Sequence, residues 1–251
     1  VIQKENNDTE GVGLSYNNIG MVYHKVGDFI NAIDNYFNSL KIAEELQDDY
    51  LKSTIYDNLG TVYFDQNKFN ESINYFEKCL ALQLKNNNKS GTAEVYINIG
   101  RIYQQQGDLN KALELYQKSH SISLKNELGL RAAKAVNYIG YIFFLKGEYD
   151  KAMDYFLESK AEFIKVGNKQ KIAEVIINIA KVNIENGDYN KAEKNTKEAI
   201  VIANKIGAIA EIKSSSKLLY DIYKKTHNYK RALEAHENFH NLNDSILNDE
   251  N

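Results

Sequence analysis

The chain has 251 residues, 43% of them hydrophobic, with 31 basic and 34 acidic side chains for a net charge of −3. Such a composition belongs to folded chains and not to disordered ones. The charge lacks the basic footprint of a nucleic-acid binder, no run approaches the roughly 18 apolar residues of a membrane span, and a single cysteine, Cys79, excludes a disulfide framework or a Cys-rich zinc site. Proline is absent. Because proline breaks helix interiors, its absence predicts a nearly all-helical chain whose turns come from Gly, Asn and Asp.

From residue 11 onward the sequence returns to itself every 40 residues. Asn17-Asn18-Ile19-Gly20 recurs as Asp57-Asn58-Leu59-Gly60, Ile97-Asn98-Ile99-Gly100 and Asn137-Tyr138-Ile139-Gly140, and Ala180 and Tyr220 continue the glycine register. Three residues later stand Tyr23, Tyr63, Tyr103, Phe143, Asn183 and Tyr223. A turn follows, as at Gly27-Asp28, Asn67-Lys68 and Gly107-Asp108, and then a small residue at Ala32, Ser72, Ala112, Ala152, Ala192 and Ala232. Four residues further come Tyr36, Phe76, Tyr116, Phe156, Thr196 and His236. Apolar residues at i, i+3, i+4 and i+7 on both sides of the turn have helical period. Each unit therefore reads as two antiparallel helices around a tight turn, with Gly supplying left-handed dihedrals and Asp capping the second helix. Small residues let the two helices approach, and aromatics fill the space beside them. A lone hairpin cannot bury both apolar faces, so neighbours must stack.

This pattern resembles the tetratricopeptide repeat (TPR) over essentially the whole chain. It is similar to the longer variety found in Pins-type scaffolds, kinesin light chains and bacterial Rap-type receptors. The usual TPR period is about 34 residues. The six extra residues are expected between repeats, at stretches such as Asn86-Asn87-Asn88-Lys89, lengthening the second helix or the loop after it. The resemblance implies an all-α, right-handed superhelix of six helix-turn-helix repeats at 11–50, 51–90, 91–130, 131–170, 171–210 and 211–240. Residues 1–10 align with 41–50 and are expected to end the second helix of a preceding repeat; 241–251 depart from the repeat and are expected to cap it or to start a linker helix. That last stretch is similar to the run leaving the TPR segment of bacterial sensor kinases. The fifth and sixth repeats deviate, with Ala180, Asn183 and Thr196, and then Tyr220, at the marker positions.

The resemblance implies a non-catalytic module that binds a protein or an extended peptide, as the recognition or sensory segment of a larger bacterial regulator. The alternative is an architectural solenoid that self-associates through its ends. No catalytic residue, cofactor or metal is expected, nor nucleic acid or membrane insertion. Cytoplasmic and periplasmic placements both fit. His236-Glu237-Asn238-Phe239-His240 spells a zinc-peptidase motif, but His236 falls in the aromatic core series, and no third ligand follows. Cys79 aligns with Ser39, Ser119, Ser159 and Ala199, a small buried position and not a nucleophile's.

In TPR proteins the first helix of each pair lines a concave groove. The resemblance carries that role to Asn18, Asn58, Asn98, Arg101, Gln105, Asn137, Tyr138, Tyr141, Phe144, Asn178 and Lys181. Asn recurs two residues before the glycine register at positions 18, 58, 98 and 178. A side-chain amide offers both donor and acceptor, so this series can grip the backbone of an extended peptide or bond a neighbouring helix. Tyr138, Tyr141 and Phe144 form an aromatic centre of the kind that anchors binding hot spots.

Overall fold

The computed structural model describes residues 9–237, and every regular element among them is an α-helix. In chain order these are α1 (Thr9–Lys25), α2 (Phe29–Glu45), α3 (Asp49–Asp65), α4 (Phe69–Lys85), α5 (Lys89–Gln105), α6 (Leu109–Lys125), α7 (Gly129–Leu145), α8 (Tyr149–Lys165), α9 (Lys169–Glu185), α10 (Tyr189–Ile206) and α11 (Ile209–Lys225). Residues 229–237 are also helical. The chain divides into two compact units between Asn126 and Glu127. In the first, α1 pairs with α2, α3 with α4 and α5 with α6; in the second, α7 pairs with α8 and α9 with α10, and α11 packs on α10.

The extra six residues per repeat are not an insertion between repeats. Helices α1 to α9 have 17 residues each, the turns after them have three, and so each period of 40 is two equal halves. The length is shared because one kind of turn ends every helix. Its middle residue is left-handed throughout: Gly27, Gly107, Gly147, Gly167 and Gly187 have positive φ, and Gln47, Asn67, Asn87, Glu127 and His227 adopt the same region at φ 53–58°. At the first turn the Asp28 N–H donates to the Tyr23 carbonyl at 2.9 Å and the Gly27 N–H to the His24 carbonyl at 3.0 Å, a paired closure that satisfies the last carbonyls of the helix. The residue after it starts the next helix. Side chains of Asp28, Asp48, Asn88, Asp108, Asn168 and Asp188 accept N–H groups of the following first turn.

The glycine register explains how the two helices of a pair close. A Cβ on Gly60 would stand 2.7 Å from the Phe76 ring, and one on Gly100 would stand 2.6 Å from Tyr116. The ring of the second helix thus lies directly on the backbone of the first. Tyr36, Phe76, Tyr116 and Phe156 are all buried there. The deviant pairs follow the same steric rule. Ala180 is opposite a register position held by the smaller Thr196, and both are fully buried. In the last pair Tyr220 carries its own ring, and the exposed His236 lies beside it with centroids 5.2 Å apart.

A second tie joins the helices of a pair. Ser39, Ser119 and Ser159 are fully buried, and their hydroxyls donate to the carbonyls of Gly13, Ala93 and Ala133 at 2.7–2.8 Å. Cys79 occupies the same register position in α4. Burial pushes its thiol up to about 12, so it stays protonated at neutral pH and lacks the thiolate that reactivity requires.

Candidate functional site

The first helices of the first unit, α1, α3 and α5, are bonded side chain to side chain. The amide Nδ2 of Asn58 donates to Asn17 Oδ1 at 2.9 Å, and that of Asn98 to Asp57 Oδ1 at 3.1 Å. Each Asn of the series therefore bonds the residue beside its predecessor on the preceding first helix. Asn18, on the first of these helices, is exposed. Further along the same face, His24 Nε2 and Asp65 Oδ2 lie 2.7 Å apart. The Arg101 guanidinium sits 4.7 Å above the Phe64 ring, a cation–π contact. Gln105 donates to Asn67 at 3.3 Å.

In the second unit the bond recurs, with Asn178 Nδ2 donating to Asn137 Oδ1 at 3.2 Å. Both side chains are buried, and the network is longer. Asn137 donates to Glu174 Oε1 at 3.2 Å, Lys171 holds the other Glu174 oxygen, and Lys181 Nζ donates to Asn178 Oδ1 at 3.3 Å. Burial acts to lower the Lys171 pKa, but the adjacent Glu174 outweighs it and the value lies above the ordinary lysine range. Lys181 differs: burial lowers its pKa, and Glu174 offsets only part of that. The Lys181 ammonium also faces the Tyr141 ring at 5.7 Å. Tyr141 stacks on Phe144 with centroids 5.9 Å apart, and Phe144 touches Tyr149 at 5.7 Å. Tyr138 is half-buried one turn earlier. Beside Phe144 a cavity of about 370 Å³ opens between α7, α9 and α11. Its apolar lining is Phe144, Ile184 and Leu218, and its charged lining is Lys181, Glu185, Asp221, Lys224 and Lys225.

In each unit the expected residues lie on neighbouring first helices, and they divide by their contacts. Asn58, Asn98, Asn137 and Asn178 each commit an amide N–H to a neighbouring first helix or its carboxylate. Arg101, Tyr141, Phe144 and Lys181 keep part of their surface in solvent. Phe64, Ile184 and Leu218 were not among the expected site residues. Register alone reaches them: Phe64 and Ile184 share the Phe144 position, two periods of 40 before it and one after, and Leu218 stands where the Asn series would continue. His236 is exposed on the last helical segment, while His240 and residues 241–251 lie outside the described residues. Among the described residues no group of His, Cys, Asp and Glu gathers to hold a metal, and no helix is long and apolar enough to cross a membrane.

Helix pairs of equal length, closed by a ring on a glycine and stacked through their first helices, define an α-solenoid of the helical-repeat class. The tetratricopeptide-repeat family model matches residues 12–85 and again 54–125, and the same register runs on through the second unit. Residues 12–125 are thereby identified as tetratricopeptide repeats. Among solved structures it is similar to BtubC from P. vanneervenii, with 17% identity, a TM-score of 0.73, and coverage of 87% of this chain and 92% of that one. It is similar to the apo form of RapI, at 17% identity and TM-score 0.68 over 94% of this chain and 99% of that one. A Rap protein complexed with Competence and Sporulation Factor matches at 17% identity and TM-score 0.71 over 93% of this chain and 75% of that one. No curated protein matches the sequence. This fold serves generally as a non-catalytic interaction scaffold.

Proposed function

We propose that the chain is a peptide-binding module, the recognition segment of a larger bacterial signalling or regulatory protein, with the first-helix faces of its units as the binding surface. The observation that carries this reading is the cavity between α7, α9 and α11, lined by both apolar and charged side chains. Ligand sites are concave and mostly apolar, with a few placed polar groups. A structurally similar Rap protein, bound to Competence and Sporulation Factor, supports the same reading. Tyr141 and Phe144 act as anchors, while the Asn series holds the first helices in register. A peptide selected from a random displayed library on the intact chain is expected to lose about 2 kcal/mol of affinity on Tyr141→Ala. Asn98→Ala instead is expected to cost about 0.5–1.5 kcal/mol of stability, the net worth of a hydrogen bond, with little change in binding. Titrations and thermal melts of both variants check this. Unaltered affinity in Tyr141→Ala removes the aromatic pair from the site.

One observation favours self-association as a second reading. Ile19 and Val22 on α1 are 44% and 63% exposed, although their register equivalents Leu59, Val62, Ile102, Ile142 and Val182 are buried. In α3 those positions pack against Tyr36 and Leu40 of the preceding second helix. The same apolar face on α1 has the shape to take a second helix, supplied by a preceding repeat or, on this reading, by another copy. On this reading sedimentation shows a concentration-dependent assembly that Val22→Asp abolishes; a monomer at every concentration removes it.

A further inference from the structure

Lys181 is the cation of the second unit whose surroundings the fold does not explain. Its Nζ has the Asn178 amide oxygen at 3.3 Å and the Tyr141 ring at 5.7 Å. Glu174, one of the two carboxylates on its own helix, is already engaged by Lys171 and Asn137. The other, Glu185, lines the cavity and accepts from the Tyr149 hydroxyl at 3.5 Å. Among the described residues no carboxylate lies within ion-pair distance of Lys181. An ammonium drawn out of water without a counter-charge costs stability, and burial does lower its pKa. A methionine of similar length would fill the same space at no such cost. What the position retains is a cation at the side of a cavity whose wall is Phe144, Ile184 and Leu218.

We infer that the cavity between α7, α9 and α11 is an anion subsite. In it Lys181 receives the carboxylate of an acidic residue within a bound peptide, and the peptide's neighbouring apolar side chain lodges against Phe144, Ile184 and Leu218. This rests on the peptide-binding reading above and specifies its ligand. Charge selects the occupant. Glu185 and Asp221 in the lining repel a multiply charged phosphate, whereas one carboxylate brings a single charge that matches the excess of one positive charge left by the lining's three lysines and two acids. Shape points to a chain and not to a small molecule. The apolar wall does not close at Phe144 but continues to Tyr141, stacked 5.9 Å away, as a neighbouring side chain of an extended peptide requires. Leu218 matters here too. It replaces the Asn of the series, so the bond that ties the other first helices gives way to an apolar surface at this point.

The test is a library of capped pentapeptides passed over the intact wild-type chain and over Lys181→Met and Lys181→Arg. Wild type is expected to enrich Asp or Glu at one position next to Leu, Ile or Phe. In Lys181→Met that acid preference disappears and retention of the selected peptides falls about tenfold or more, the scale of a lost hydrogen bond to a charged group. Lys181→Arg keeps the preference. The melting temperature of Lys181→Met stays level or rises, because a partly desolvated ammonium with no carboxylate partner has gone; a fall of several degrees assigns Lys181 a structural role and overturns the inference. Peptides retained without an acid preference, or with a preference that survives Lys181→Met, overturn it while leaving peptide binding intact. If wild type retains no peptide, the binding reading falls with it.

Discussion

Phe156→Ala is expected to destabilise the second unit by about 3–5 kcal/mol, the range for emptying an aromatic site in a packed core. Phe156 is fully buried, in one cluster with Ala133, Ala152, Phe163, Val175, Ile179 and Val182. The hole cannot be refilled from the facing helix, since a Cβ on Gly140 would stand 3.0 Å from the ring and the glycine itself has no side chain to swing in. Collapse of the surroundings is what makes large-to-small changes cheap, and here the neighbour opposite is bare backbone. Urea denaturation followed by circular dichroism reads the loss. Repeat arrays can depart from all-or-none unfolding, so the transition of the second unit is the quantity to compare. A loss below about 1 kcal/mol would mean that the glycine and the ring are not a single packing device.

Much of that device is legible in the sequence. The spacing of Gly20, Gly60, Gly100 and Gly140 against Tyr36, Phe76, Tyr116 and Phe156 identifies a ring closing over a small residue before any coordinate is known. The turn positions are equally plain where they hold Gly. They are less so at Gln47, Asn67, Asn87, Glu127 and His227, where residues with a Cβ take the left-handed region because the helices on both sides fix the turn. The division of the added six residues was not readable. Comparison with a shorter repeat says how many residues are extra, and only the recurrence of one turn after every helix says that both helices share them.

The Asn series shows why the site was harder to read than the fold. Asn58, Asn98 and Asn178 look alike at the level of register, and their amides suit a peptide backbone. The residue one step earlier on the preceding repeat decides otherwise: Asn17, Asp57 and Asn137 are acceptors, and each is met by an Asn donor. Where that position is Ile177, the partner is Leu218, packed in the same apolar cluster. Ile97 is likewise followed by Tyr138 in sequence. Polar answers polar and apolar answers apolar, which is the signature of helix-to-helix contact. A ligand-binding series has no reason to follow the neighbouring helix in this way. Arg101, Tyr141, Phe144 and Lys181 follow no such rule, and they keep part of their surface in solvent.

The glycine–ring rule makes its sharpest demand at the pair that breaks it. Thr196→Phe would restore to α10 the ring that four other pairs carry, yet it is expected to destabilise by about 1–3 kcal/mol, the cost of overpacking. The reason is Ala180. In the pairs closed by Tyr36, Phe76, Tyr116 and Phe156, a Cβ at the opposing glycine would lie 2.6–3.0 Å from the ring, and Ala180 has that Cβ. Losing the threonine hydroxyl adds little, since its only bond is to the Ala192 carbonyl four residues back on the same helix. Ala180→Gly alone is also expected to destabilise, by about 0.5–1 kcal/mol from backbone entropy, with a further loss for the space it opens opposite Thr196. Together the two changes rebuild the arrangement of Gly140 and Phe156, and the double variant should be more stable than Thr196→Phe alone. Contacting residues that share one space show coupling energies of about 0.5–3 kcal/mol, and the upper half of that range is expected here. Denaturant melts of all four members of the cycle measure it. Additivity within about 0.5 kcal/mol would show that α9 and α10 move apart to admit the ring, and that the small residue on the first helix follows from ancestry and not from packing.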